Sequence, residues 1–117
     1  MTQTERKLEE KLLLEAGYFT ALAKAIAAGK EAIKDWDPDN WFPCGNAHVM
    51  VKPRNSKFSK WLVREEFGRD APYSKAIIIS NGLSTQSMQC NITYSSAVAK
   101  VLREEFNMNV HVWSYID

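Results

Sequence analysis

Cysteine is scarce: Cys44 and Cys90 are the two thiols in 117 residues. Two thiols cannot staple a disulfide framework, so the sequence points to a reduced, cytoplasmic setting. Long apolar runs are missing as well. None approaches the roughly 20 residues a bilayer span needs, and no membrane partner is expected. The opening MTQTERKLEEK is charged where a signal peptide needs an apolar centre, which argues against export. Five glycines are scattered along the chain and build neither a phosphate loop nor a dinucleotide fingerprint. Net charge is only +1, so bulk charge names no partner. What the chain does have is 45% hydrophobic residues, enough to bury a core, which excludes global disorder. Its length suits one domain of the usual size, about 100–150 residues.

Charge is unevenly placed. Residues 31–45 hold one cation against four carboxylates, whereas residues 46–75 hold seven against three. An acidic connector thus precedes a basic middle segment, an asymmetry that can steer encounter with a charged partner.

The N-terminus reads as a long helix. Thr2 and Glu5 have capping-box spacing, and Leu12, Phe19, Ile26 and Ile33 recur every seven residues, flanked by Leu8, Leu22 and Ala23. Gly17 and Gly29 each weaken its interior by up to about 1 kcal/mol. From Leu8 to Ile33 an unbroken helix would run about 39 Å, wider than a small domain. Such a helix must break, project, or pack on a second chain, and the seven-residue line favours a homodimer through it. The stretch DWDPDNWFPCG, residues 35–45, opposes regular structure through its prolines and final glycine. The chain divides into an amphipathic helix (1–34), a connector (35–46) and an α/β domain (47–117), together one compact unit.

Beyond the connector, AHVMVK (47–52) reads as a strand and Ser56 as the cap of a helix that ends near Gly68. KAIIIS (75–80) reads as a buried strand, and SMQCNIT (87–93) alternates like another. Ser95 or Ser96 would cap a second helix, and NVHVWSYI (109–116) the last strand. Arg64-Glu65-Glu66-Phe67 recurs as Arg103-Glu104-Glu105-Phe106, offset by 39 residues. The expected fold class is α+β: an N-terminal helix, then a βαββαβ ferredoxin-like (split βαβ) sheet with its helices on one face. The alternative leaves 87–93 as loop in a three-stranded sheet.

Candidate sites are few. Asp35, Asp37 and Asp39 alternate as in a calcium loop, but Pro38 intrudes, and Asn40 and Asn46 stand where glycine and glutamate belong. Cys44, His48, Cys90 and His111 could compose a Cys2His2 set, yet only one pair is close in sequence. Cys44 with a histidine would need a third, orienting group to act as a nucleophile, and none is identifiable. No cofactor, metal or catalytic residue is therefore assigned, and the chain is read as non-enzymatic. Lys52, Arg54, Lys57, Lys60 and Arg64, interleaved with Phe58 and Trp61, form the best polyanion-binding candidate.

Several stretches resemble a family of small proteins encoded by bacteriophages and prophages. They are Cys44-Gly45-Asn46-Ala47-His48-Val49, Lys57-Phe58-Ser59-Lys60-Trp61-Leu62, Ser84-Thr85-Gln86-Ser87-Met88, Ala97-Val98-Ala99-Lys100-Val101-Leu102, and the close Ser114-Tyr115-Ile116-Asp117. The resemblance covers about residues 44–117 and departs at Tyr115, where arginine is usual, and at His48, where an aromatic is commoner. It implies a phage context in a host bacterial cell and lends no catalytic residue. The resulting expectation is an accessory protein that binds a host macromolecule, most reasonably a protein such as a host enzyme or defence system. Its candidate surface is Asp35, Asp37, Asp39, Lys52, Arg54, Lys57, Lys60, Arg64, Ser84, Thr85 and Gln86. The alternative is an RNA or single-stranded DNA module using the basic helix 56–67.

Overall fold

A computed structural model of the chain describes residues 2–36, 45–71, 75–83 and 87–116. Asp37, Asp39, Cys44, Ser84, Thr85 and Gln86 lie outside the described residues. The architecture is mixed α+β. In chain order it runs α1 (Gln3–Ala32), β1 (Gly45–Lys52), α2 (Lys57–Arg64), β2 (Arg69–Ala71), β3 (Ala76–Ile79), α3 (Met88–Phe106) and β4 (Asn109–Ile116). The four strands form one sheet in the order β2-β3-β1-β4, and every neighbouring pair is antiparallel.

The helices start where the sequence puts hydroxyl caps. Thr2 accepts from the Glu5 amide and Ser56 from the Ser59 amide, satisfying donors that a first turn leaves free. The third cap is Ser87, which accepts from the Cys90 amide. This corrects the strand expected at 87–93: those residues are the first turns of α3, and Ser95 lies buried in its interior. The missing strand is β2, three residues that pair Arg69 with Ile78 and Ala71 with Ala76. A second correction concerns the end of α2. Glu66 takes the left-handed backbone (φ 64°), and Gly68 serves a close approach: a Cβ there would sit 2.8 Å from Ile77 Cγ2 and 3.2 Å from the Ile78 carbonyl oxygen. The Arg-Glu-Glu-Phe repeat is not matched structurally, since Arg64 closes α2 while Arg103 sits a turn inside α3.

Strand alternation sorts the sheet's two faces. Val49 and Val51 of β1 sit opposite Ile79 and Ile77 on one side, and Val49 opposite Val112 on the other. These residues join one core cluster with Phe58, Trp61 and Leu62 of α2 and Tyr94, Val98, Ala99 and Leu102 of α3. Tyr18, Leu22 and Ala25 of α1 enter the same cluster, so all three helices serve one face. Leu62 and Leu102 are fully buried, each stabilising the fold by about 1.5–3 kcal/mol. Two of the buried polar side chains bond to backbone carbonyls: Asn91 Nδ2 donates to Gly45 (3.0 Å) and Ser59 Oγ to Pro53 (2.7 Å).

α1 does not break at either glycine. At 30 residues it is about 45 Å long, and it packs chiefly along α3. Gly29 permits that approach, because a Cβ there would meet the Tyr94 ring at 2.7 Å and Val98 Cγ2 at 2.9 Å. The molecule is 60 Å along its longest axis, with a radius of gyration of 16.0 Å. A chain of this length folded without a projection would have about 13 Å. The excess is the N-terminal half of α1, which overhangs the body. By length and composition α1 would also pass for a membrane span, a feature that counting unbroken apolar runs misses. In this fold its buried residues Tyr18, Leu22, Ala25 and Gly29 are spent on the protein's own core.

Candidate partner-binding groove

The seven-residue line of α1 divides in two. Ile26 and Ile33 pack against the core, while Leu12 and Phe19 are 58% and 57% exposed. Leu8, Leu13 and Leu14 are exposed too. Four leucines and a phenylalanine in one helical stretch are thus left to solvent. Phe19 has an aromatic neighbour in Phe67, just beyond α2, at 6.1 Å between ring centres, and Phe67 is itself exposed.

The residue that ties the overhang to the body is Tyr18. Its ring meets Phe58 (5.3 Å), Trp61 (5.6 Å) and Phe106 (5.7 Å), so α1 is pinned where α2 and α3 converge. Burial, helped by the nearby Glu15 carboxylate, pushes the Tyr18 phenol above its usual range, so it stays neutral. N-terminal to this pin, α1 and α2 enclose a groove of about 740 Å³. Leu14, Tyr18 and Trp61 supply apolar lining. Lys7 and Lys11 of α1 stand with Lys57, Lys60 and Arg64 of α2, against the carboxylates of Glu10 and Glu15. Glu15 is already engaged by Arg64, which also reaches Glu65. The four lysines form no ion pair among the described residues.

The groove joins three of the residues picked out in the sequence, Lys57, Lys60 and Arg64. It adds residues of α1 that were not, among them Lys7, Lys11 and Leu14. Their signal was present: positions 7, 11, 14 and 18 follow helical spacing and share the face of Tyr18. The remaining candidates scatter. Arg54 pairs with Asp70 at 3.8 Å and lines a separate hollow with Lys60 and Arg64. Lys52 lies by Pro53, Lys75 and Asn107–Asn109. Asp35 is exposed in the turn that follows α1.

The sulfur and imidazole candidates stay apart from the groove. Cys90 is buried in the first turn of α3, and burial pushes its thiol up, away from the reactive thiolate. His48 lies on the sheet face opposite the helices. It stacks on Trp113 at 6.4 Å, and Tyr115 stands 6.0 Å away. Its Nδ1 is buried without a hydrogen bond among the described residues. Burial, then the Arg69 charge, holds its pKa below the usual histidine range. His111 is lowered likewise, by burial and then by Lys52 and Arg103. No group of three or more His, Cys, Asp or Glu side chains gathers to hold a metal among the described residues.

Compared with protein-family models, with curated proteins and with solved structures, the chain matches none.

Proposed function

We propose that this chain is a phage-type accessory protein that works by non-enzymatic binding to a host protein, with the overhanging half of α1 as its contact element. The observation that carries this reading is the set of exposed apolar side chains there: Leu8, Leu12, Leu13, Leu14 and Phe19. Exposed apolar patches of this kind mark interaction sites, and on a helix they suit helix-mediated docking. The fold itself we take as ferredoxin-like. Support comes from the element order β1-α2-β2-β3-α3-β4 and from an antiparallel sheet with β1 and β3 at its centre.

The test is capture by the tagged chain from bacterial lysate, beside a variant carrying Leu12→Glu and Leu13→Glu. The expected result is a stoichiometric protein partner retained by the parent and lost by the variant. Equal capture by both would overturn the role given to α1. Light scattering on the purified chain reads a competing occupant, a second copy. A dimer mass that drops to monomer in the variant would assign the face to self-association.

A nucleic-acid reading rests on the five cations lining the groove. It predicts co-eluting nucleic acid, seen in the 260/280 absorbance ratio, that strips as salt rises. Trp61, only 5% exposed, is poorly placed to stack on a base, which favours the protein reading.

A further inference from the structure

We infer that the groove between α1 and α2 is the seat of an acidic amphipathic helix supplied by a partner protein. The inference rests on the protein-binding reading above and names the chemistry of the segment that docks.

The argument starts from length. The α1 residues on the groove, Lys7, Lys11, Leu14 and Tyr18, are spaced i, i+4, i+7, i+11. Between the first and last the helix rises about 16 Å. A ligand helix alongside presents one face at the same spacing and fills the groove with three turns. A helix also suits the lining better than an extended strand. The groove is walled by two helices whose backbone groups are already paired, so a strand laid in it would leave its own N–H and C=O groups without partners.

Charge then fixes the sign. Lys7 and Lys11 line one wall, Lys57 and Lys60 the other, and no carboxylate among the described residues neutralises these four through an ion pair. Glu10 is the one groove carboxylate outside the Arg64 cluster. A helix with apolar residues toward Leu14, which is exposed, and the rims of the Tyr18 and Trp61 rings, with carboxylates on both flanks, meets lysines on both sides. A basic helix would be repelled from both walls. Such complementarity acts on encounter rate and specificity, and salt weakens it.

The probe is a labelled, end-capped synthetic peptide of about 14 residues, about 20 Å as a helix, with leucine at the i, i+4, i+7, i+11 positions and glutamate flanking them. Its controls are a scramble of the same composition, a lysine-for-glutamate counterpart and a single-stranded oligonucleotide of equal charge. Fluorescence anisotropy at about 50 and about 500 mM salt reads binding, since these ionic strengths bracket weak and strong screening. The expected result is binding of the amphipathic acidic peptide at least about tenfold tighter than of any control, a margin of about 1.4 kcal/mol. Lys7→Glu with Lys60→Glu should weaken it by a further factor of about ten. Both lysines are exposed, and circular dichroism checks that the variant keeps its helices.

Equal binding of the scramble or the oligonucleotide would overturn the inference, since the groove would then read charge without helical pattern. Absence of peptide binding, with a lysate partner still captured through Leu12 and Leu13, would overturn it too. That outcome leaves the protein-binding reading standing and moves the contact off the groove.

Discussion

Gly17 and Gly29 stand on one helix, twelve residues apart, and the same substitution should act on them with opposite sign. In a helix interior alanine is better than glycine by about 0.8–1 kcal/mol, because glycine gives up more backbone freedom on folding. At Gly17 nothing lies within 4 Å of where the new Cβ would sit. Gly17→Ala should therefore keep most of that gain and stabilise by about 0.5–1 kcal/mol. At Gly29 the new methyl would fall 2.7 Å and 2.8 Å from two ring carbons of Tyr94 and 2.9 Å from Val98 Cγ2. Tyr94 and Val98 are 5% and 2% exposed and belong to the core cluster, so a shift of either disturbs core packing, although both also border a hollow of about 310 Å³. Overpacking of this kind costs about 1–3 kcal/mol, which outweighs the helical gain. Gly29→Ala should lose up to about 2 kcal/mol. Urea unfolding followed by circular dichroism measures both, with the denaturant slope checked for change. A Gly29→Ala protein as stable as Gly17→Ala would refute the α1–α3 packing on which the overhang depends. Adding Val98→Ala gives a further check, because contacting sites couple and its cost should shrink in the Gly29→Ala background.

Three further expectations follow from other parts of the molecule. His48 and His111 are both held below their ordinary value of 6.5 when folded, so the unfolded chain binds the extra protons. Their contribution to stability should be complete above pH 6.5 and fade as pH falls below it toward the folded values, read as a falling urea midpoint. His48→Gln should flatten that slope. Asn91 is 1% exposed; its Nδ2 donates to the Gly45 carbonyl and its Oδ1 accepts from Asn81 at 2.9 Å, so Asn91→Ala should cost about 1–3 kcal/mol by orphaning buried groups. In thermal melts, Leu13→Glu should change stability by no more than about 0.5 kcal/mol, while Leu22→Ala, further along α1, should cost about 2–5 kcal/mol.

Some of this was legible in the sequence for local reasons. Thr2 and Ser56 announce their helices because a capping hydroxyl acts on an amide three residues away, and the sequence shows both partners. The segment Ser87–Thr93 misleads because Met88, Cys90 and Ile92 alternate with polar residues. The helical stripe actually buried is Cys90, Asn91, Tyr94, Ser95, Val98, Ala99 and Leu102. Two of its members are polar, satisfied by carbonyls of Gly45 and Ala47 that lie over forty residues back, so apolar periodicity does not reveal them. β2 is invisible for a related reason. Its three residues are held by backbone pairing with β3, and Arg69 and Asp70 are exposed. In the groove, Lys57, Lys60 and Arg64 could be picked out as a cluster along one short helix. Lys7 and Lys11 share a helix face with Tyr18 in the sequence, but their meeting with the α2 set could not be read there, because fifty residues separate Lys7 from Lys57 and the contact is made in the fold, where Tyr18 meets Phe58 and Trp61.

An isolated helix of three or four turns is marginal in water, because its first turn costs entropy before any propagation repays it. The overhang of α1 escapes that penalty. Tyr18, Leu22, Ala25 and Gly29 already fix the turns on which it grows. Each residue added toward the N-terminus needs only propagation, and each can melt back without disturbing the core. The free arm therefore behaves like a zipper with one end sewn shut. Its reach is set by how many turns are closed at a given moment, and a partner that gripped the far turns would lengthen it. The stability of the arm and the strength of such a grip would then be one linked quantity, since whatever binds the closed turns also favours their closure.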